Sequence, residues 1–233
     1  MRKFLRIGLI TLASLLSAGC PRPVRPPTPA APPTAPAAET RGAALYVVNP
    51  AESLVLIHVY RGGALARLGH NHVVASKSLR GRIWIHPALP RSGFELAFPV
   101  AQLIVDDPEL RASAGPEFQS SIKEADKDGT RKNMLRPEVL DAERYPEVTV
   151  RSLRIEGAPQ APKITARLTI RDASRDLEIP AKIAREADRL RATGAFDIRQ
   201  TDFGMKPFSV GLGALEVQDR LHIEFYVVAE EGE

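Results

Sequence analysis

The chain holds one cysteine and one tryptophan in 233 residues, and aromatic side chains make up only 6% of it. A single cysteine closes no intramolecular disulfide, which excludes a disulfide-stapled framework. The apolar run from Ile7 to Leu16 is too short for a permanent transmembrane helix, which needs about 20 such residues. The sequence has no Gly-x-Ser-x-Gly elbow, no glycine-rich phosphate loop, no acid pair spaced for proton transfer and no internal repeat, so nucleophilic and nucleotide chemistry lack their usual parts. Cationic excess is also missing where it would matter. The formal charge is +4, but Arg2, Lys3, Arg6, Arg22, Arg25 and Arg41 precede Gly42 against Glu39 alone, and from Gly42 onward 26 basic residues face 27 acidic ones. A domain near −1 has no bias toward nucleic acid.

What is present begins with an export pattern. Basic Arg2, Lys3 and Arg6 precede the apolar run, and small residues follow it as far as Cys20, the three-part layout of a secretory signal over residues 1–19. Leu16-Ser17-Ala18-Gly19-Cys20 resembles a bacterial lipobox, which implies acylation of Cys20, palmitate included, and an anchor in the cell envelope. Pro21 rather than Asp after the cysteine favours the periplasmic face of the outer membrane over the inner membrane. Residues 20–41 hold 8 of the 20 prolines and, apart from Val24, no large apolar side chain between Pro21 and Thr40. Such a segment cannot build a core and reads as a semi-rigid, polyproline-like tether.

Beyond the tether, over 42–233, the period becomes two. Ile164, Ala166, Leu168 and Ile170 alternate with Lys163, Thr165, Arg167, Thr169 and Arg171; Leu190, Ala192, Gly194, Phe196 and Ile198 alternate with polar neighbours, as do Leu221, Ile223, Phe225 and Val227. Alternation marks half-buried strands. Further strands are expected at 44–48, 54–60, 81–86, 94–104, 147–155, 177–184 and 208–217, with turns at Asn49-Pro50, 87–93, 157–162, 172–174 and Gln218-Asp219. Strands without helical crossovers give an all-β fold, sandwich or barrel. Helical or loop insertions are expected at 108–127, opened by Asp106, Asp107 and Glu109, and at 134–140. Residues 54–60 and 94–104 are apolar on both faces, as strands with an interior on one side and a helix or loop on the other would be.

Four strings, MLRPEVLDAERYPEVTVRS at 134–152, ITARLTIRDASRDLEIP at 164–180, LRATGAFDIRQTDFGM at 190–205 and ALEVQDRLHIEFYVVAE at 214–230, resemble in order and spacing the YceI-like family. The resemblance covers about residues 44–230. It implies a lipocalin-like, extended antiparallel β-barrel with a minor helical insertion, whose apolar interior holds an isoprenoid or similar amphiphilic lipid, in an exported bacterial carrier without enzymatic turnover. Inward-facing cavity candidates are Leu168, Ile170, Phe196, Ile198, Ile223 and Phe225. A barrel of this size either holds one slender ligand or is filled by its own side chains, and a filled-core structural or stress-related envelope protein stays open. The front of the chain departs from the commonest family pattern, with Gly69-His70-Asn71-His72 where many members carry one histidine.

His70 and His72, two apart on an extended segment, present both imidazoles to one side, which makes them the alternative metal ligands. No third ligand is visible in the sequence, and His58, His86 and His222 lie in other segments, so no metal or other cofactor is assigned beyond a bound isoprenoid or fatty lipid. Thr201-Asp202-Phe203-Gly204 contains the DFG string of kinases without its companions and reads as a turn, with Asp202 capping and Gly204 supplying a tolerant dihedral. Arg131 and Lys132 can meet a lipid pyrophosphate or lie in a solvated loop. The oligomeric state stays open, homodimer included.

Overall fold

The computed structural model describes residues 40–232. The signal segment, Cys20 and almost all of the tether lie outside the described residues. Thirteen strands and two α-helices follow in chain order: β1 (Ala44–Val48), β2 (Leu54–Gly62), β3 (His72–Ser76), β4 (Arg80–Ile85), β5 (Gly93–Pro99), β6 (Ile104–Val105), α1 (Pro108–Ser113), α2 (Glu124–Met134), β7 (Glu147–Ala158), β8 (Ala161–Ile170), β9 (Ala173–Pro180), β10 (Lys182–Glu186), β11 (Arg189–Arg199), β12 (Ser209–Val210) and β13 (Leu215–Glu231). All pairings are antiparallel, as the alternation requires.

The longest strand organises the sheet. Along one edge β13 pairs with β2 through Glu216–Tyr226 and then with β1 through Ala229–Glu231; along the other it pairs with β11 over eleven residues and with β12. From β1 the ladder runs through β4, β5, β7 and β8 to β9, while β2 carries β3 and β6 as a branch. The return to β11 is made by one bent segment. β9 pairs with β8 up to Pro180, the chain turns at Ala181, and β10 pairs with β11. The Ile183 amide donates to the Gln160 carbonyl at 2.8 Å, fastening the bend to the β7–β8 turn. At this crossing Gly194 is indispensable: a Cβ there would stand 2.1 Å from the Pro180 carbonyl oxygen and 2.6 Å from the Phe225 ring.

Proline explains two departures from the expected strands. The stretch 94–104 is not one strand, because Pro99 has no N–H for the ladder; a 3-10 turn at Val100–Gln102 follows, and the Val100 amide donates to Pro146. Pro180 likewise divides 177–184 between β9 and β10. The expected turn at Gln218-Asp219 is instead a β-bulge inside β13, where the register slips between Val217 and Leu221. Its polar side chains substitute for ladder bonds: Gln218 Nε2 donates to the Arg61 carbonyl, and Asp219 accepts from Thr201 N and Oγ1. The stretch 208–217 resolves into β12, a turn and the start of β13. β3 lies outside every expected strand. Val73, Val74 and Ala75 are all buried, so that strand shows no alternation to detect.

The helical insertion lies over the outer face of β2. Asp107 caps α1 by accepting from the amides of Glu109 and Leu110, and Pro108 takes the first helical position, where its missing N–H is harmless. Phe118, 0% exposed, sets its ring edge-on to His58 and Tyr60, with centroids 5.1 and 5.4 Å apart. The two-faced strand 54–60 therefore has an interior on one side and an insertion on the other.

The crowding at the bend gives a test. Gly194→Ala lowers unfolding stability by about 2 kcal/mol or more, the scale of overpacking plus backbone displacement, as read from the urea midpoint; an unchanged midpoint would show that the bend relaxes without cost.

Candidate functional site

The inner face of the sheet does not close on itself. Val55, Ile57 and Val59 of β2, Ile83 and Ile85 of β4, Phe94, Leu96 and Phe98 of β5, and their counterparts on β7 to β13 surround a cavity of about 840 Å³. That lies within the range of small-molecule and lipid sites, roughly 300–1,000 Å³. It extends along the wall from Pro159 and Gln160 at the β7–β8 turn to Thr130, Asn133 and Met134 of α2. The span Val148–Ile155 of β7, which lines it at both ends, measures roughly 25 Å at about 3.3 Å per residue.

All six residues expected to face inward lie on this wall: Leu168 and Ile170 from β8, Phe196 and Ile198 from β11, Ile223 and Phe225 from β13. Phe196 and Phe225 form a tilted ring pair with centroids 6.4 Å apart. The side chains leave the interior hollow, against the filled-core alternative. Polar residues on the wall are few. Ser92, Gln160, Arg185 and Glu186 stand toward the β7–β8 turn, and His72, Thr130, Asn133 and Gln200 toward α2. Of these, Gln200 is already engaged through its amide to the Gln218 carbonyl, Glu186 accepts from Arg191, and the Arg185 guanidinium covers the Tyr46 ring.

His70 and His72 meet as an edge-to-face ring pair, and His72 is held by a carboxylate as well. Their ring centroids are 6.4 Å apart, and His70 sits in the loop before β3 begins. His72 Nδ1 is 2.6 Å from Asp106 Oδ2. His58 and His222 belong to a different cluster with Glu224, and His86 Nδ1 accepts from the Ala88 amide. Among the described residues no group of three or more His, Cys, Asp or Glu is arranged to hold a metal ion.

Asp106 is the residue that the sequence reading missed in function. It begins no helix; Asp107 alone does that. Asp106 is 0% exposed with φ at +55°, a conformation uncommon for a non-glycine residue. Its Oδ1 accepts from the Val73 amide at 2.9 Å and from Arg111 Nη1 at 2.5 Å, while Oδ2 meets His72. Arg111, also buried, donates further to the carbonyls of Asn71 and Ser120 and to Ser120 Oγ. Burial alone pushes the Asp106 carboxyl up, but the hydrogen bonds from His72, the Val73 amide and Arg111 together hold it below the usual carboxylate range. Nothing in the sequence marks this cluster, since its members stand 34 and 5 positions apart and meet only through strand pairing.

Two smaller readings need correction. Arg131 and Lys132 stand in α2 rather than in a solvated loop, and the Arg131 guanidinium donates to the carbonyls of Leu103 and Ala101, bracing the segment before β6. Gly204 does take φ +68° in its turn, but the carboxylate that holds this turn is Asp219, not Asp202, because only Asp219 lies across from Thr201.

Comparison with known proteins follows the same outline. The profile of the family described as YceI-like domain matches residues 46–229. Among solved structures, BcnA of Burkholderia cenocepacia aligns with a TM-score of 0.57 at 18% identity, over 78% of this chain and 98% of its own. A polyisoprenoid binding domain from Saccharophagus degradans, implicated in plant cell wall breakdown, aligns at 0.56 and 12% identity, over 82% and 99%. At these identities the likeness is one of fold. No curated protein matches the chain.

The depressed acidity of Asp106 has a pH signature. The carboxylate contributes stability at pH above the ordinary aspartate range, near 4, and that contribution is lost as pH falls through the lower folded value. Asp106→Asn leaves Arg111 as a buried charge without its counter-ion, which costs about 3 kcal/mol or more at pH 7, and it flattens the acid limb of the stability profile. Urea unfolding at intervals from pH 7 to pH 3 measures both; parallel profiles for the two proteins would contradict this account.

Proposed function

The chain belongs to the YceI-like domain family, and from that premise we propose that its barrel binds and shields an isoprenoid or similar amphiphilic lipid as a carrier without turnover. The observation that carries the reading is the apolar cavity of about 840 Å³ along the barrel wall. Each methylene moved from water into such a surface gains about 0.8 kcal/mol, so a long tail is held tightly with little polar recognition. This fits a wall in which aliphatic and phenyl groups dominate. The description of the Saccharophagus degradans neighbour as a polyisoprenoid binding domain points the same way.

The delivery system is part of the proposal. Export through residues 1–19, acylation at Cys20 and the proline-rich tether to residue 41 put the barrel at a membrane surface, on the periplasmic face of the outer membrane. A carrier that must load from a bilayer gains from being tethered beside it, because the tether converts encounter into an intramolecular event.

Three measurements bear on this. Native mass spectrometry of the full chain gives a discrete added mass that organic extraction removes; a mass equal to the polypeptide alone argues against carriage. Ala192→Phe, which puts a ring into the cavity from β11, lowers the lipid-bound fraction about tenfold while the protein stays folded. Cys20→Ala moves the protein from the membrane pellet to the soluble fraction, and retention in the pellet would remove the anchor from the proposal.

A further inference from the structure

The α2 end of the cavity carries a polar group that lipid tails do not need. His72 lines the cavity on β3 opposite Val59, a neighbour in the wall, and its side chain is 15% exposed. Its Nδ1 is committed to the buried Asp106 carboxylate, and among the described residues its Nε2 has no hydrogen-bond partner in the protein. Three donors converge on that carboxylate, from His72, Val73 and Arg111. The Asp106 carboxylate can only accept, so a proton resides on Nδ1; Arg111 already gives that carboxylate its counter-charge, and a neutral ring held in this way presents Nε2 as an acceptor. A tail that covers Nε2 without offering a donor takes this acceptor out of water unpaired, a desolvation cost that a hydroxyl donor avoids.

We propose that His72 is the head-group site of the cavity, accepting at Nε2 a hydrogen bond from the hydroxyl of a long-chain alcohol or other hydroxyl-headed amphiphile. The proposal rests on the lipid-binding reading and deepens it. The charge distribution selects the head group. At the α2 end the lining side chains other than His72 are the neutral Thr130, Asn133 and Gln200, together with apolar groups. Neither Arg131 nor Lys132 of α2 lines the cavity, and Arg131 spends its guanidinium on backbone carbonyls. The charged lining residues, Arg185 and Glu186, stand at the opposite end. A phosphate or pyrophosphate would meet no cationic side chain on the cavity wall at this end, whereas a neutral donor meets the acceptor it needs. Asp106 acts as a positioning residue that fixes the tautomer, in the manner in which a second group orients a working histidine.

The test compares geranylgeraniol with geranylgeranyl methyl ether, which has the same tail and no donor, on the full-length delipidated protein by competition against a fluorescent fatty probe. Wild-type protein binds the alcohol about tenfold tighter than the ether, the effect of one hydrogen bond to an otherwise unpaired group. In His72→Phe that preference disappears through a loss on the alcohol, with the ether within about twofold of its wild-type affinity. Equal wild-type affinities for the two probes would overturn the head-group assignment and leave lipid binding intact, and that comparison needs no variant to fold. A preference that persists in folded His72→Phe would likewise overturn it. Binding of neither probe would overturn both readings together.

Discussion

An antiparallel wall satisfies its backbone hydrogen bonds edge to edge, and this leaves the two faces free to carry unrelated chemistry. Here the inner face is apolar along a span of roughly 25 Å, and its side chains leave a cavity of about 840 Å³ between them. Other features follow from that constraint. The outer faces of β2 and β3 are not left to water; the insertion that contains α1 and Phe118 covers them. The ring is completed by a strand that changes partner at Pro180 and Ala181, because β9 and β10 must reach two walls that no straight strand could join. Selectivity then has little to work with, and a few polar groups at the ends carry what chemical distinction the cavity makes.

Most of this architecture was legible in the sequence because period-two alternation is a local signal. β8, β11 and the central part of β13 follow it residue by residue, and the six inward positions fall on the cavity wall for that reason. The failures have equally local causes. Proline interrupts two apolar runs that periodicity alone would join, and β3 has no alternation because Val73 and Ala75 are covered from outside. Gln218 and Asp219 look like turn residues because bulges and turns use the same polar groups to replace missing ladder bonds.

The His72, Asp106 and Arg111 cluster was not legible for a different reason. Its polar groups come from a strand, the residue after a two-residue edge strand, and a short helix, and only the pairing of β3 with β6 brings them together. A buried aspartate beside a half-buried one, Asp107, reads in sequence as one acidic helix start. The two differ by one position and by nearly everything else: one caps a helix in partial contact with solvent, and the other anchors the edge of the barrel to the insertion.

The length of β13 has a kinetic corollary. This strand, the last among the described residues, supplies partners to β1, β2, β11 and β12, so before it arrives those four strands have unsatisfied edges and the cavity has no wall on that side. Pairing β1 with β13 joins residues separated by nearly the whole domain, and such non-local contacts make folding slow. Synthesis or export that halts short of β13 therefore yields a chain with open strand edges, a template for self-association. For this barrel, quality control is a question of whether β13 emerges in time to shut it.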